Sequence, residues 1–204
     1  MADRGPFPKG TVEWSGENPG MYLKEAADGP FVSLVSFFRV VLSPHGTGQG
    51  VVLLEAPDSD RSTPQAMNLC LSNNEALSRW LVEHFVSNFG AFRGKPGLRG
   101  MEFRKLTKLT TRSELPKRYV EELEGPGVEI TLAWEELGLP FMVDMSAERG
   151  ATGKHEMYSL FCDSKRATAT INGRTLPGKS FPRDFAGKPS TTAFLAFSET
   201  WVLV

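Results

Sequence analysis

The sequence predicts a mainly β protein, an antiparallel β-barrel carrying one amphipathic helix at about 73–89. Three observations point there. First, the stretch Phe31–Leu42, FVSLVSFFRVVL, is largely apolar on both faces of a strand. Val32, Leu34, Ser36, Phe38, Val40 and Leu42 fall on one side; Phe31, Val35, Phe37 and Val41 fall on the other, interrupted by Ser33 and Arg39. Strand side chains alternate, so a strand without a polar row is covered on both sides, here by packed core and by a pocket or lumen. Second, short apolar stretches follow one another in a consecutive, hairpin-like order typical of antiparallel sheets. Third, one stretch alone shows a convincing helical period. A closed barrel removes the exposed edges that so many strands create; a two-sheet sandwich is the alternative.

In chain order, Val12–Trp14 and Met21–Glu25 read as short strands, and Phe31–Leu42 as a long one. Ser43–Gln49 turns back into a strand over Gly50–Ala56, then comes a polar loop at Pro57–Pro64 and a strand from Met67 to Leu71. Ser72 and Glu75 have capping-box spacing, and Leu77, Trp80, Leu81, Phe85 and Phe89 share one helical face, with Gly90 as a natural stop. A glycine-rich basic loop spans 91–100. Met101–Arg112 is a strand whose alternation breaks near Lys105 and Leu106, as at a bulge. Tyr119–Leu123 is ambiguous. Val128–Glu135 alternates cleanly, and Pro140–Ser146 and Met157–Cys162 follow as strands. Ala167–Ile171 runs into Asn172-Gly173, a pair suited to the positive φ angles of a type I′ hairpin turn. An irregular excursion over Pro177–Pro189 precedes one long closing strand, Thr191–Leu203.

Composition narrows the function classes. The 204 residues are read as a single domain over 1–204, with hydrophobic residues at 40% and charged residues at 23%. With 23 basic and 24 acidic residues, the net charge of -1 supplies no overall pull toward nucleic acid or membrane. Residues 93–118 are basic and 121–148 acidic, which reads as charge matching between neighbouring strands. Cys70 and Cys162 are too few for a disulfide framework and are expected as free thiols; whether they pair stays open. No apolar signal core or membrane-length run is present, so a cytoplasmic chain is expected, its oligomeric state open and a homodimer allowed. The fourteen Phe residues have no polar handle and must line a core, a pocket or an interface.

Glu199 is the first candidate for chemistry. Its side of the last strand reads Ala193, Leu195, Phe197, Glu199, Trp201, Leu203, and a carboxylate in an apolar row has its pKa raised unless a cation balances it. The structural alternative is an ion pair or an emergence into solvent. Arg39, isolated among phenylalanines, is the plausible charge partner or anion anchor. Asp144 could complete a carboxylate pair, though a solvent-facing Asp is the favoured reading. His155 could serve as a loop-borne acid or base at a pocket mouth, with an exposed polar loop again favoured. Phe37, Val35, Phe197, Trp201, Trp134 and Tyr158 are the expected substrate-binding walls. His45, His84 and His155 lack ligand spacing, so no metal and no cofactor are expected. The glycines of GTGQG lie between two strands and do not make a dinucleotide loop.

The coarse strand order resembles lipocalin-type (calycin-like) barrels in architecture, with no shared motif. The expected function is binding of a small hydrophobic molecule in the barrel interior and its conversion by metal-free acid–base chemistry of the isomerase, cyclase, hydratase or lyase kind. A non-catalytic carrier of the same ligand is the alternative. An interaction module using the basic 93–118 segment is the third reading.

Overall fold

The computed structural model describes residues 10–61 and 66–204. Residues 1–9 of the Gly- and Pro-rich start and residues 62–65, which take in the end of the loop expected at Pro57–Pro64, lie outside them. The described residues form a mainly β structure with one α-helix. The strands are β1 (Thr11–Glu17), β2 (Gly20–Lys24), β3 (Phe31–Leu42), β4 (Gly48–Leu54), β5 (Asn68–Ser72), β6 (Glu102–Lys105), β7 (Lys108–Glu114) and β8 (Arg118–Gly125). Then come β9 (Val128–Leu137), β10 (Phe141–Met145), β11 (His155–Ile171), β12 (Arg174–Thr175), β13 (Pro182–Phe185), β14 (Lys188–Thr191) and β15 (Ala193–Leu203). Helix α1 spans Glu75–His84.

Thirteen strands share one sheet, whose main path runs β6-β5-β4-β3-β1-β15-β11-β9-β8-β7, with β2 bridging β3 and β15. The sheet is mixed, because β5 and β6 pair in parallel where an all-antiparallel order was expected. The two ends of the path are neighbours in the chain: β6 and β7 are separated only by Leu106 and Thr107. Leu106 N donates to Ser72 O on β5 (2.9 Å), and Thr107 N donates to Glu124 O on β8 (2.8 Å). The break foreseen near Lys105 and Leu106 is thus the point where one stretch of chain leaves one side of the sheet for the other. The strands close into a ring.

Each face of β3 supports a different cluster. Val35 and Phe37 join Leu53, Leu69, Leu123, Leu132, Trp134 and Leu195, drawn from strands all round the ring, and each of these is 0% exposed. The interior, expected to be hollow, is filled. Burying a large apolar side chain there contributes about 1.5–3 kcal/mol. The opposite face carries Leu34, Phe38 and Val40, packed with Val52, Cys70 and the buried side of α1, Leu77 and Leu81. Asn74 caps that helix through its side chain, which accepts from Leu77 N (3.1 Å). The expected cap, Ser72, instead accepts from Asn74 N (3.0 Å). The helix stops at His84, short of Gly90, and continues as a 3-10 turn over Val86–Asn88.

The region 177–189, expected to be irregular, contains the β13–β14 hairpin, turned at Ala186 and Gly187 with φ of 55° and 76°. The basic and acidic segments do meet across β7, β8 and β9, with Lys108–Glu124 at 2.5 Å, Arg112–Glu122 at 3.0 Å and Arg118–Glu135 at 3.3 Å. No described helix is long and apolar enough to cross a membrane.

Candidate functional site

A cavity of about 290 Å³ lies on the outer face of the ring, beneath the β13–β14 hairpin and beside the chain that follows α1. Its walls are mostly aromatic. Phe161 on β11 stacks between Phe185 and Phe194, each centroid 4.6 Å away. Trp201 stacks on Phe89 at 5.9 Å. Phe194 sits directly on Gly20, where an added Cβ would come within 2.6 Å of the ring tip. Three groups with titrating protons interrupt this apolar surface: Glu199, Tyr22 and Arg183.

Glu199 reaches the cavity because β15 bulges. Leu160 pairs with Phe197 but Tyr158 pairs with Thr200, so Ser198 and Glu199 together oppose Ser159 alone. Ser198 takes the left-handed conformation, φ 54°, that accommodates the extra residue. Upstream of it, Leu195 and Phe197 face the ring interior; downstream, Glu199 and Trp201 face outward with Phe194 and Ala196. The expected single row from Ala193 to Leu203 is therefore split. Simple alternation would have pointed Glu199 into the filled interior.

The carboxyl is held by fixed donors. Asn18 Nδ2 donates to Oε1 at 2.9 Å, and Trp201 Nε1 donates to the same oxygen at 2.8 Å. Ser36 Oγ donates to Asn18 Oδ1 (2.9 Å) and so sets which way the amide points. Oε2 has no protein partner among the described residues, yet it is not among their fully enclosed unpaired atoms, so it is the oxygen that opens to the cavity. Glu199 is only 4% exposed and has no cation within ion-pair distance among the described residues. Burial pushes its pKa up to about 7, against the pull of the Asn18 and Trp201 hydrogen bonds. With both donors on Oε1, the proton belongs on Oε2.

Arg183 lies across Phe185, Phe194 and Tyr22, its guanidinium carbon 4.8, 5.0 and 5.7 Å from the ring centroids. Its Nε donates to Thr191 O at 2.9 Å. Burial pulls its pKa below the usual arginine value. Burial also pushes the Tyr22 phenol up.

The other expected site residues lie elsewhere. Arg39 does not meet Glu199. It pairs with Glu17 and with the fully buried Glu121 (2.8 Å), and Thr111 Oγ1 accepts from it at 2.9 Å. Phe37, Val35, Trp134 and Phe197 belong to the ring interior; Trp134 Nε1 donates to Gly20 O at 3.1 Å. Trp201 alone of the expected walls borders the cavity. Asp144 is exposed on β10, paired in register with Tyr158, and Tyr158 Oη donates to Glu156 (2.5 Å). Both lie on the side of their strands away from the cavity-lining Met145 and Met157. His155 is not in a loop but begins β11 and is fully buried, with Glu13 at 2.8 Å from Nε2 and Thr152 at 2.8 Å from Nδ1. Burial lowers its pKa despite Glu13.

Sequence reasoning missed Asn18, Tyr22 and Arg183. The signal for Arg183 was present in Phe181-Pro182-Arg183-Asp184-Phe185, where an arginine shares a strand face with flanking phenylalanines. Cys70 and Cys162 are free and buried, and burial pushes their thiols up to about 12 and about 11, poor values for nucleophiles. Among the described residues no three His, Cys, Asp or Glu side chains group as a metal site. Comparison with protein-family models, with curated proteins and with solved structures finds no match to this chain.

Proposed function

We propose that this protein binds a small hydrophobic molecule in the outer-face cavity and converts it by general acid–base chemistry at Glu199, in a reaction of the isomerase, cyclase, hydratase or lyase kind. One observation carries the reading: a carboxyl buried without a cation, fastened through one oxygen, with the other open to an apolar cavity. A group half-ionised near neutral pH both donates and accepts protons at working pH, which is what general catalysis asks of it. The apolar walls exclude water and strengthen the proton's interaction with whatever is bound. In this reading the ligand lies against the Phe161, Phe194 and Trp201 rings with a basic or acidic carbon or oxygen at Oε2.

Carbon-13 NMR of the Glu199 carboxyl tests the reading. Titration near pH 7, abolished in Glu199→Gln, is the expected result. Titration near the ordinary value of 4.5 would reject the acid–base role. A carrier of the same ligand is the second reading. It is favoured by the absence of a second carboxylate or a histidine among the described residues that line the cavity. The two separate on turnover: an apolar molecule extracted from the purified protein would be returned unchanged by a carrier.

A further inference from the structure

Arg183 is a second anomaly in the same cavity. A half-buried guanidinium normally answers to a carboxylate, because an uncompensated buried charge is strongly destabilising. Among the described residues Arg183 has no carboxylate within ion-pair distance, and its one hydrogen bond to protein leaves from Nε. Among the described residues the terminal nitrogens have no acceptor and are not fully enclosed, and the side chain forms part of the cavity wall. The rings of Phe185 and Phe194 fix the plane of the guanidinium and leave its outer edge available. Such an edge presents two parallel N–H donors, the match for a carboxylate.

The other polar groups say where the rest of a ligand would lie. Tyr22 lines the same cavity, its ring 5.7 Å from the Arg183 guanidinium carbon and 5.3 Å from Phe194, and its hydroxyl makes no hydrogen bond among the described residues. Phe194 also touches Arg183 and stacks on Phe161, and Glu199 belongs to the same wall.

We propose that the ligand is an amphipathic monocarboxylate, its carboxylate held by the free edge of Arg183 and its apolar body reaching across the Phe161 and Phe194 rings toward Glu199. This rests on the reading of the cavity as a ligand site and adds the chemical class of the occupant. Arg183 is the sole basic residue of the wall among the described residues, so one negative charge is matched there and the second charge of a phosphate monoester is not. The carboxylate lies at the Arg183 end because an ionised Glu199 would repel it.

Matched probes test the assignment: hydrocinnamate against hydrocinnamyl alcohol, and phenylbutyrate against phenylbutanol. Binding is followed through Trp201 fluorescence and by calorimetry. Wild-type protein is expected to bind each acid about tenfold or more tightly than its alcohol, the worth of a charge-assisted hydrogen-bonded pair. Arg183→Met is expected to erase that preference, so that acid and alcohol bind within about twofold of each other; Arg183→Gln serves if the Met variant does not fold. Equal affinity of acid and alcohol for the wild type would overturn the anion assignment and leave the apolar site standing. A preference that survives both substitutions would overturn the role of Arg183. No binding of any of the four probes at millimolar concentration would overturn both the assignment and the site.

Discussion

Replacing Glu199 by Gln should change how stability depends on pH, and the size of the change follows from the site. The folded carboxyl has its pKa raised from 4.5 to about 7, mainly by burial. Below pH 4.5 the group is protonated in folded and unfolded chains alike and the shift has no effect. Between 4.5 and about 7 the unfolded chain ionises and the folded one does not, so stability is lost as pH rises. Above about 7 both are ionised and the loss is complete. At roughly 1.4 kcal/mol per pH unit, that interval amounts to about 3 kcal/mol. Gln keeps an Oε1 that accepts from Asn18 and Trp201 but carries no charge to desolvate. The variant should match wild type within about 1 kcal/mol at pH 4.5 and exceed it by about 3 kcal/mol at pH 8. In a chain of this length that corresponds to a rise in melting temperature of roughly 6–12 °C. Urea unfolding at the two pH values measures it, with the difference between proteins cancelling the other titrating groups. A variant whose pH dependence parallels wild type would refute the claim that Glu199 is buried without compensation.

Three further outcomes are expected. Arg39→Met should lower stability by about 3 kcal/mol in denaturant unfolding, because it leaves the buried Glu121 without its cation, and should leave the Glu199 titration unmoved; a shifted Glu199 titration would reconnect the two residues. Gly20→Ala should cost about 1–3 kcal/mol and weaken probe binding, because the new Cβ meets a Phe194 ring already confined by Phe161 and Tyr22; an unchanged affinity would remove Phe194 from the working wall. Ser198→Val should lose about 1–2 kcal/mol relative to Ser198→Gly, since a β-branched residue resists the left-handed conformation; equal stabilities by chemical denaturation would argue against the bulge.

Where periodicity and covering decide structure, the sequence was readable. The strand Phe31–Leu42 is observed with those bounds, buried on both faces through its middle. Asn172 and Gly173 take φ of 50° and 75°, as a type I′ turn requires. The helix, by contrast, is capped by Asn74 and not by Ser72, since both residue types at that spacing satisfy the same end. Pairing between β5 and β6 escaped because parallel alignment leaves no mark on either strand. Glu199 was recognisable as an isolated charge, but the direction in which it points was not. A serine in the left-handed region looks like any other serine, and the one residue it adds reverses every side chain beyond it. Arg39 was an equally conspicuous charge, and its partners Glu17 and Glu121 lie 22 and 82 residues away along the chain, beyond any local pattern.

The strand ring keeps its own filling, and the cavity leans against its outside. On the proposed reading, the ring interior and the ligand-facing surface draw on different side chains of the same strands: Leu195 belongs to one and Phe194 to the other. An exchange among the outer aromatics therefore leaves the interior set in place, but it costs stability of its own, because Phe161, Phe194 and Trp201 are themselves buried.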